Sequence, residues 1–193
     1  MSPRSKAQFE EIREASQKKI FDASLELFGT KGYEATSIAL IAKTAGISKG
    51  LIYNYFESKE ALLEAMIMDL ASVGDEMVQK MWADTPQGTL SNLIKVVFEW
   101  FRVNDKLNRL IIGLSTQLDR FQFVHDMAKG KMEGYLVMLE GLLKEIGFSD
   151  YKTEARILAT LFDGIALHYM MMKEDYPLDE VELMLIAKYC EKQ

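Results

Sequence analysis

The scarcity of helix-breaking residues is the feature that most limits what this chain can fold into. Only Pro3, Pro86 and Pro177 interrupt 193 residues. Between them, apolar residues recur at steps of three and four, as over residues 90–101, and this is the spacing of one buried helix face. No segment alternates apolar and polar residues with β-branched enrichment, so strands are not predicted. We therefore predict an all-α protein of about nine helices.

The predicted helices fall into two size classes. Between Phe9 and Phe56 we predict one medium helix and then two very short ones. From Ser58 onward the helices are long, and Ser58 can cap the first of them. Breaks are predicted at residues 84–88, near Asn104, near Asp119, at residues 147–150 and at Tyr176-Pro177. This pattern predicts a small domain at residues 1–62 and a larger domain at residues 63–193.

The charge is distributed unevenly between these two parts. The whole chain has 23 Lys and Arg against 29 Asp and Glu, a net charge of −6, which argues against indiscriminate binding to nucleic acid. Residues 1–60 hold nine basic against eight acidic side chains, whereas residues 61–193 hold 14 against 21. The acidity therefore belongs to the larger part, and a small cationic face at the other end remains compatible with DNA.

Several classes of protein are not supported by the sequence. The apolar stretch Ile157–Met172 is 16 residues long and is interrupted by Asp163 and His168, whereas a membrane span needs about 20. The charged N-terminus does not read as a signal peptide, so we expect a cytoplasmic protein that does not contact membranes. The single Cys190 excludes a disulfide scaffold, and two histidines are too few for a metal site. Without a phosphate-binding loop or dinucleotide motif, we predict no enzyme activity, cofactor or metal.

Residues 36–56 carry the most informative local pattern. Thr36 or Ser37 can cap a short helix that ends near residue 44, and Gly46 suits a left-handed turn. Ser48 can cap a second short helix that ends near residue 54. Two short helices joined by a tight glycine-containing turn form a helix-turn-helix, whose second helix enters the DNA major groove.

The side chains of the second short helix suit DNA contact. Lys49 offers a cation to a phosphate or a guanine edge, and Gly50 lets the backbone approach the DNA. Tyr53, Asn54 and Tyr55 present polar groups at the far end of this helix. Lys59, at the start of the next helix, is placed to meet a phosphate.

The residues from 20 to 62 resemble the N-terminal DNA-binding domain of the tetracycline-repressor (TetR) family of transcriptional regulators. The motifs are Leu27-Phe28, Gly32-Tyr33, Ala35-Thr36, Ile41-Ala42, Ala45-Gly46, Ser48-Lys49-Gly50, Tyr53, Tyr55-Phe56, Lys59-Glu60 and Leu62. The resemblance implies phosphate contacts at Thr36 and Ser37. It implies further DNA contacts at Ser48, Lys49, Gly50, Tyr53, Asn54, Tyr55 and Lys59. Ala39-Leu40 departs from the usual polar pattern, and the long arm before Ile20 either reaches DNA or extends the first helix.

The same resemblance implies a ligand cavity among the middle helices and a homodimer formed by the last two long helices. Such a dimer reads a near-palindromic operator, and a small apolar or amphipathic ligand releases it, most often as a repressor. Control by a protein partner, or without any ligand, is the alternative. The favoured cavity residues are Trp82, Phe98, Phe101, Met127, Tyr135, Met138, Phe162, His168 and Tyr169, with Trp100, Phe121, Phe123, Met132 and Met172 as further candidates. The predicted dimer residues are Leu158, Leu161, Phe162, Ile165, Met184 and Leu185.

Overall fold

The fold is entirely helical over the residues that the structure, a computed structural model, describes, namely residues 6–115 and 121–191. Within these ranges there are nine α-helices and one short 3-10 helix at Lys173–Asp175. The α-helices are α1 (Lys6–Lys31), α2 (Ile38–Ala45), α3 (Lys49–Tyr55), α4 (Lys59–Gln79), α5 (Pro86–Val103), α6 (Asp105–Ser115), α7 (Gln122–Ile146), α8 (Tyr151–Met172) and α9 (Leu178–Cys190). The predicted fold class and helix number are confirmed, while the break predicted near Asp119 lies outside the described residues.

The helix ends follow from local side-chain chemistry. The hydroxyl of Ser37 accepts a hydrogen bond from Leu40 N at 3.2 Å, and the hydroxyl of Ser58 accepts one from Ala61 N at 3.0 Å. Thr85 caps α5 in the same way, immediately before Pro86, whose fixed φ suits a first helical position. These caps satisfy backbone N–H groups that have no partner within the helix.

The chain divides into two compact units, residues 1–70 and residues 71–193, and the division falls within α4. In the first unit, α1 packs on α2, and α2 packs on α3. The interior of this unit includes Ile20, Phe28, Ile41, Ile52 and Leu62, all with at most 2% of their surface exposed. Burying side chains of this size contributes about 1.5–3 kcal/mol each, which is what holds two such short helices in place.

In the second unit, α5 packs against α7 and α9, and α8 packs against α6 and α7. Its core includes Leu90, Ile94, Phe98, Leu143 and Leu158, which are buried. Arg102 of α5 donates to Asp179 and Glu182 of α9, at 2.6 Å each, and so fixes these two helices at the surface. No helix in the described part of the chain is both long enough and apolar enough to cross a membrane.

Candidate nucleic-acid interface and effector cavity

The turn between α2 and α3 has the predicted geometry. Gly46 adopts φ +67° and ψ +33°, in the left-handed region, and its N–H bonds back to the carbonyls of Ala42 and Lys43. A left-handed position costs a residue with a Cβ about 1–2 kcal/mol, so glycine is the suitable residue here. The chain then turns directly into α3, which begins one residue after Ser48.

One face of the start of α3 is exposed to solvent, and the opposite face is buried in the first unit. Lys49 and Gly50 are exposed, Tyr53 is 47% exposed, and Ile52 is completely buried. Ser48 accepts a hydrogen bond from Leu51 N at 3.1 Å, which leaves its own O–H proton available as a donor. The helix therefore presents a polar outer face while its apolar face holds it in the unit.

Two positively charged side chains near α3 lie close to aromatic rings. The Lys49 ammonium lies 5.6 Å from the centre of the Tyr53 ring, and the Arg13 guanidinium of α1 lies 6.0 Å from that of Tyr55. A cation at this distance from a ring is attracted to its negative face. Asn54 is exposed, whereas Tyr55 is half-buried. Ser48, Lys49, Gly50, Tyr53 and Asn54 thus form one exposed surface.

Two of the residues assigned to phosphate contact have side chains that bond to backbone carbonyls of the chain itself. Thr36 is 1% exposed, and its hydroxyl lies 2.9 Å from the carbonyl oxygen of Gly32 and 3.3 Å from that of Leu27. Its side chain stabilises the connection between α1 and α2 and is not presented to a ligand. Ser37, by contrast, is exposed beside it.

Lys59 is the second of these residues, and it has internal partners. Its ammonium donates to the backbone carbonyl of Tyr33 at 2.7 Å and to that of Thr36 at 3.0 Å. The same ammonium lies 4.0 Å from the centre of the Tyr33 ring. Lys59 therefore ties the start of α4 to the loop before α2, a positioning role that the sequence pattern does not reveal.

The N-terminal arm before Ile20 continues the first helix. α1 already begins at Lys6, and residues 10–15 within it are exposed. From residue 6 onward the arm therefore extends the first helix, which is the second of the two alternatives.

A cavity of about 300 Å³ lies within the second unit. Helices α5, α7 and α8 supply most of its wall, together with the end of α4. Its lining residues are Gly74, Val78, Leu93, Val96, Val97, Trp100, Phe101, Met132, Tyr135, Met138, Leu139, Ala159, Phe162 and Asp163. Of the favoured cavity residues, Phe101, Tyr135, Met138 and Phe162 line it, and so do the further candidates Trp100 and Met132.

The other favoured cavity residues are placed differently. Phe98 is completely buried in the core, and Trp82 is 58% exposed outside the cavity. Met127, His168 and Tyr169 also lie outside its lining, and the rings of His168 and Tyr169 both contact the ring of Tyr176. Asp163 was missed as a lining residue. The signal available for it was its position as a charge within the apolar stretch of α8.

The predicted dimer residues divide between the core and the surface. Leu158, Ile165 and Leu185 are at most 7% exposed and pack in the chain's own core, and Phe162 lines the cavity. Leu161 is half-buried, and Met184 alone among these residues is exposed, at 70%. The exposed apolar side chains of these helices are instead Ile157, Leu167, Met171, Met172, Leu183 and Met184.

A helix-turn-helix with an exposed second helix places this chain among the helix-turn-helix DNA-binding proteins. Residues 20–66 match the model of the bacterial regulatory proteins of the tetR family. The HTH-type transcriptional regulator BetI of Pseudomonas paraeruginosa is 28% identical over 185 residues, which cover 91% of each chain. Residues 20–66 therefore form a DNA-binding domain of the tetR type, and over nearly all of its length the chain is similar to transcriptional regulators.

Solved structures of other proteins match this fold over about nine-tenths of the chain, and so include residues of both units. A TetR transcription regulator from Haloarcula marismortui superposes with a TM-score of 0.79 at 19% identity, over 92% of this chain and 97% of that one. The transcriptional regulator FadR from Bacillus subtilis, in complex with stearoyl-CoA, gives a TM-score of 0.69 at 22% identity, over 90% and 97%. At these identities the likeness shows the fold.

Proposed function

We propose that the protein is a repressor that binds a near-palindromic operator as a homodimer and is released by a small molecule bound in the cavity. The observation that carries this proposal is the exposed start of α3. There Lys49, Gly50 and Tyr53 face outward from a helix whose other side is buried. In a helix-turn-helix the N-terminal residues of the second helix read the base edges.

Gly50 supports DNA contact by a separate argument. A Cβ built on Gly50 meets only the hydroxyl oxygen of Ser48, at 3.9 Å, which is an ordinary contact. Glycine inside a helix costs about 0.5–1 kcal/mol relative to alanine, and nothing within the described unit requires it here. Close approach of a DNA backbone supplies the reason that internal packing does not.

The apolar surface of α8 and α9 supports dimerisation. Met171, Leu183 and Met184 are each at least 68% exposed, on helices whose other faces are packed in the core. Large apolar side chains left exposed on the last two helices are compatible with an interaction surface, and most homo-oligomers are two-fold dimers. Such a dimer would place two α3 helices about one DNA turn apart, which requires a near-palindromic operator.

The cavity supports control by a ligand rather than by a protein partner alone. A mostly apolar space of about 300 Å³ has the size and lining of a small-molecule site. Among the structures with this fold, FadR from Bacillus subtilis was solved in complex with stearoyl-CoA. We propose that ligand and DNA favour different states of the protein, so that each lowers the affinity for the other by the same factor. Because α4 contributes residues to both units, it is the element that we expect to transmit this effect.

Fluorescence anisotropy with the DNA upstream of the protein's own gene tests DNA binding. We expect affinity that depends on sequence and falls steeply with salt. Lys49→Ala should weaken binding and reduce the salt slope by about one. Gly50→Ala should also weaken binding while raising the stability of the fold by about 0.5–1 kcal/mol.

Lys129→Ala is the matched control, because this exposed lysine lies on α7 and belongs to the second unit. It should leave both DNA affinity and salt slope unchanged. Binding without dependence on sequence or salt would refute the proposed function. Equal affinity of the wild-type protein and the Lys49 and Gly50 variants would refute the assignment of the site.

A further inference from the structure

Arg13 of α1 is an exposed cation beside the second helix of the helix-turn-helix. Its guanidinium lies 6.0 Å from the centre of the ring of Tyr55, the last residue of α3. Among the described residues, no carboxylate lies within ion-pair distance of this guanidinium. An aromatic ring attracts a cation without neutralising it. The positive charge of Arg13 therefore stays available to an anion at this end of α3.

The side of α1 that bears Arg13 is also the side that packs into the first unit. Gln17 and Ile20 follow Arg13 at steps of four and three, and they are half-buried and completely buried. Residues at these spacings share one helix face. On the same face, the ring of Phe21 lies 5.7 Å from the ring of Phe56, the residue after α3. Arg13 therefore borders the end of α3 from a fixed position.

The two ends of α3 thus each have a cation close by. Lys49 is the first residue of this helix, and Arg13 lies beside its last residue, Tyr55. Seven residues rising 1.5 Å each span about 10 Å, and the major groove of DNA is about 12 Å wide. A helix that reads base edges in this groove has phosphates on both sides of it, and contacts to them fix its register. The spacing allows Lys49 and Arg13 to reach phosphates at opposite edges of the groove.

Negative charges on the neighbouring part of α1 limit such a contact to one residue. Glu11 and Glu14 are exposed, and at about 100° per residue they lie about 160° and 100° round the helix from Arg13. Their charges would repel the phosphates if the length of α1 lay along the DNA. The arrangement therefore favours a single contact at Arg13 over an arm that follows the duplex.

We infer that Arg13 binds a DNA phosphate and holds the end of α3 in register on the operator. This inference rests on the proposed function, since it adds to the same DNA interface a residue that comes from α1. The planar guanidinium suits the task, because it can stack on the Tyr55 ring and donate two parallel hydrogen bonds to a phosphate. A phosphate carries no sequence information. Arg13 should therefore contribute equally to the binding of any duplex, unlike a residue that reads bases.

The experiment compares two duplexes of equal length, the DNA upstream of the protein's own gene and a shuffled version of it. Anisotropy titrations at several salt concentrations give the affinity and the salt slope for each. Arg13→Gln should weaken binding to both duplexes by the same factor, about three- to tenfold, and lower the salt slope by about one for each chain bound. Arg13→Lys keeps the charge and should keep the wild-type salt slope. Because Arg13 is exposed, Arg13→Gln should unfold at the wild-type urea concentration.

Lys18→Gln is the matched control for the loss of one positive charge. Lys18 is exposed on the same helix, about 140° round from Arg13. This variant should keep the wild-type affinity for both duplexes and the wild-type salt slope.

Four results would overturn the inference. Arg13→Gln could bind like the wild type, or Lys18→Gln could lose as much, which would make the effect one of net charge. A loss confined to the upstream duplex would make Arg13 a base contact. A lower unfolding midpoint would give it a structural role. In all four cases the wild type still binds its operator and the proposed function stands, whereas a wild type that binds neither duplex refutes the proposed function itself.

Discussion

Replacement of Lys59 distinguishes a positioning residue from a DNA contact. In Lys59→Met the apolar stem is kept, while the ammonium that donates to the carbonyls of Tyr33 and Thr36 is lost. Both of those residues are buried, at 8% and 1% exposed, so their carbonyls lose a partner in a place with limited water. The variant should therefore destabilise the first unit even without DNA.

The magnitude follows from these contacts. A hydrogen bond to a charged group contributes about 1.5–3 kcal/mol, and a cation over a ring contributes about 0.5–1 kcal/mol at an accessible site. Because Lys59 is only half-buried, water competes for its ammonium, and we take a total of about 2 kcal/mol. With a slope of about 1–3 kcal/mol per molar urea, the unfolding midpoint should fall by about 1 M.

Lys49→Met is the matched control, since it makes the same chemical change at an exposed lysine of α3. It should lower operator affinity and the salt slope but keep stability within about 0.5 kcal/mol. Urea unfolding followed by far-ultraviolet circular dichroism gives the stabilities, and anisotropy gives the affinities. The reasoning is refuted if Lys59→Met unfolds at the wild-type midpoint and loses affinity and salt slope as Lys49→Met does. Lys59 would then be a phosphate contact.

Two further predictions concern a turn and a buried phenol. Gly46→Ala should cost about 1 kcal/mol in urea unfolding, entirely from its φ of +67°, because an added Cβ meets no atom within 4 Å; unchanged stability would contradict this. Tyr189 donates to Glu154 at 3.2 Å, and burial, followed by the charge of Glu154 and this hydrogen bond, raises its pKa from 10 to about 12. Its contribution to stability is therefore complete below pH 10 and is lost as the pH rises through 12. Tyr189→Phe should be less stable than the wild type by about 0.5–1.5 kcal/mol at neutral pH. Between pH 10 and pH 12 the variant should lose less stability than the wild type. If the stabilities of the two proteins fell equally over this range, the raised pKa of Tyr189 would be refuted.

The helix-turn-helix was predictable because its determinants are local. Ser37, Ser48 and Ser58 each accept a hydrogen bond from the N–H three residues later, so each cap needs only a few residues of sequence. Gly46 likewise depends on the conformation of one residue. Thr36 was not predictable in the same way. Its hydroxyl partners include the carbonyl of Leu27, nine residues earlier, which a local pattern cannot supply.

The cavity and the outer face of α8 and α9 were less predictable, since they depend on packing between distant segments. Trp82 and Trp100 are the same residue type, yet Trp82 is exposed in the loop between α4 and α5 whereas Trp100 of α5 lines the cavity. Met184 and Leu185 are neighbours in the apolar run at residues 183–187 of α9, yet they are 70% and 7% exposed. The apolar run at residues 183–187 indicates that α9 needs cover on more than one side, but it does not indicate which side the chain itself covers.

Gly50 points to function because glycine lowers the stability of a helix relative to alanine, and the described contacts return no compensating gain. A Cβ added at Gly50 would meet only the hydroxyl oxygen of Ser48, at 3.9 Å. Local rules are expected to be broken where binding requires it. Gly50→Ala should therefore raise the stability of the free protein and weaken its binding to DNA.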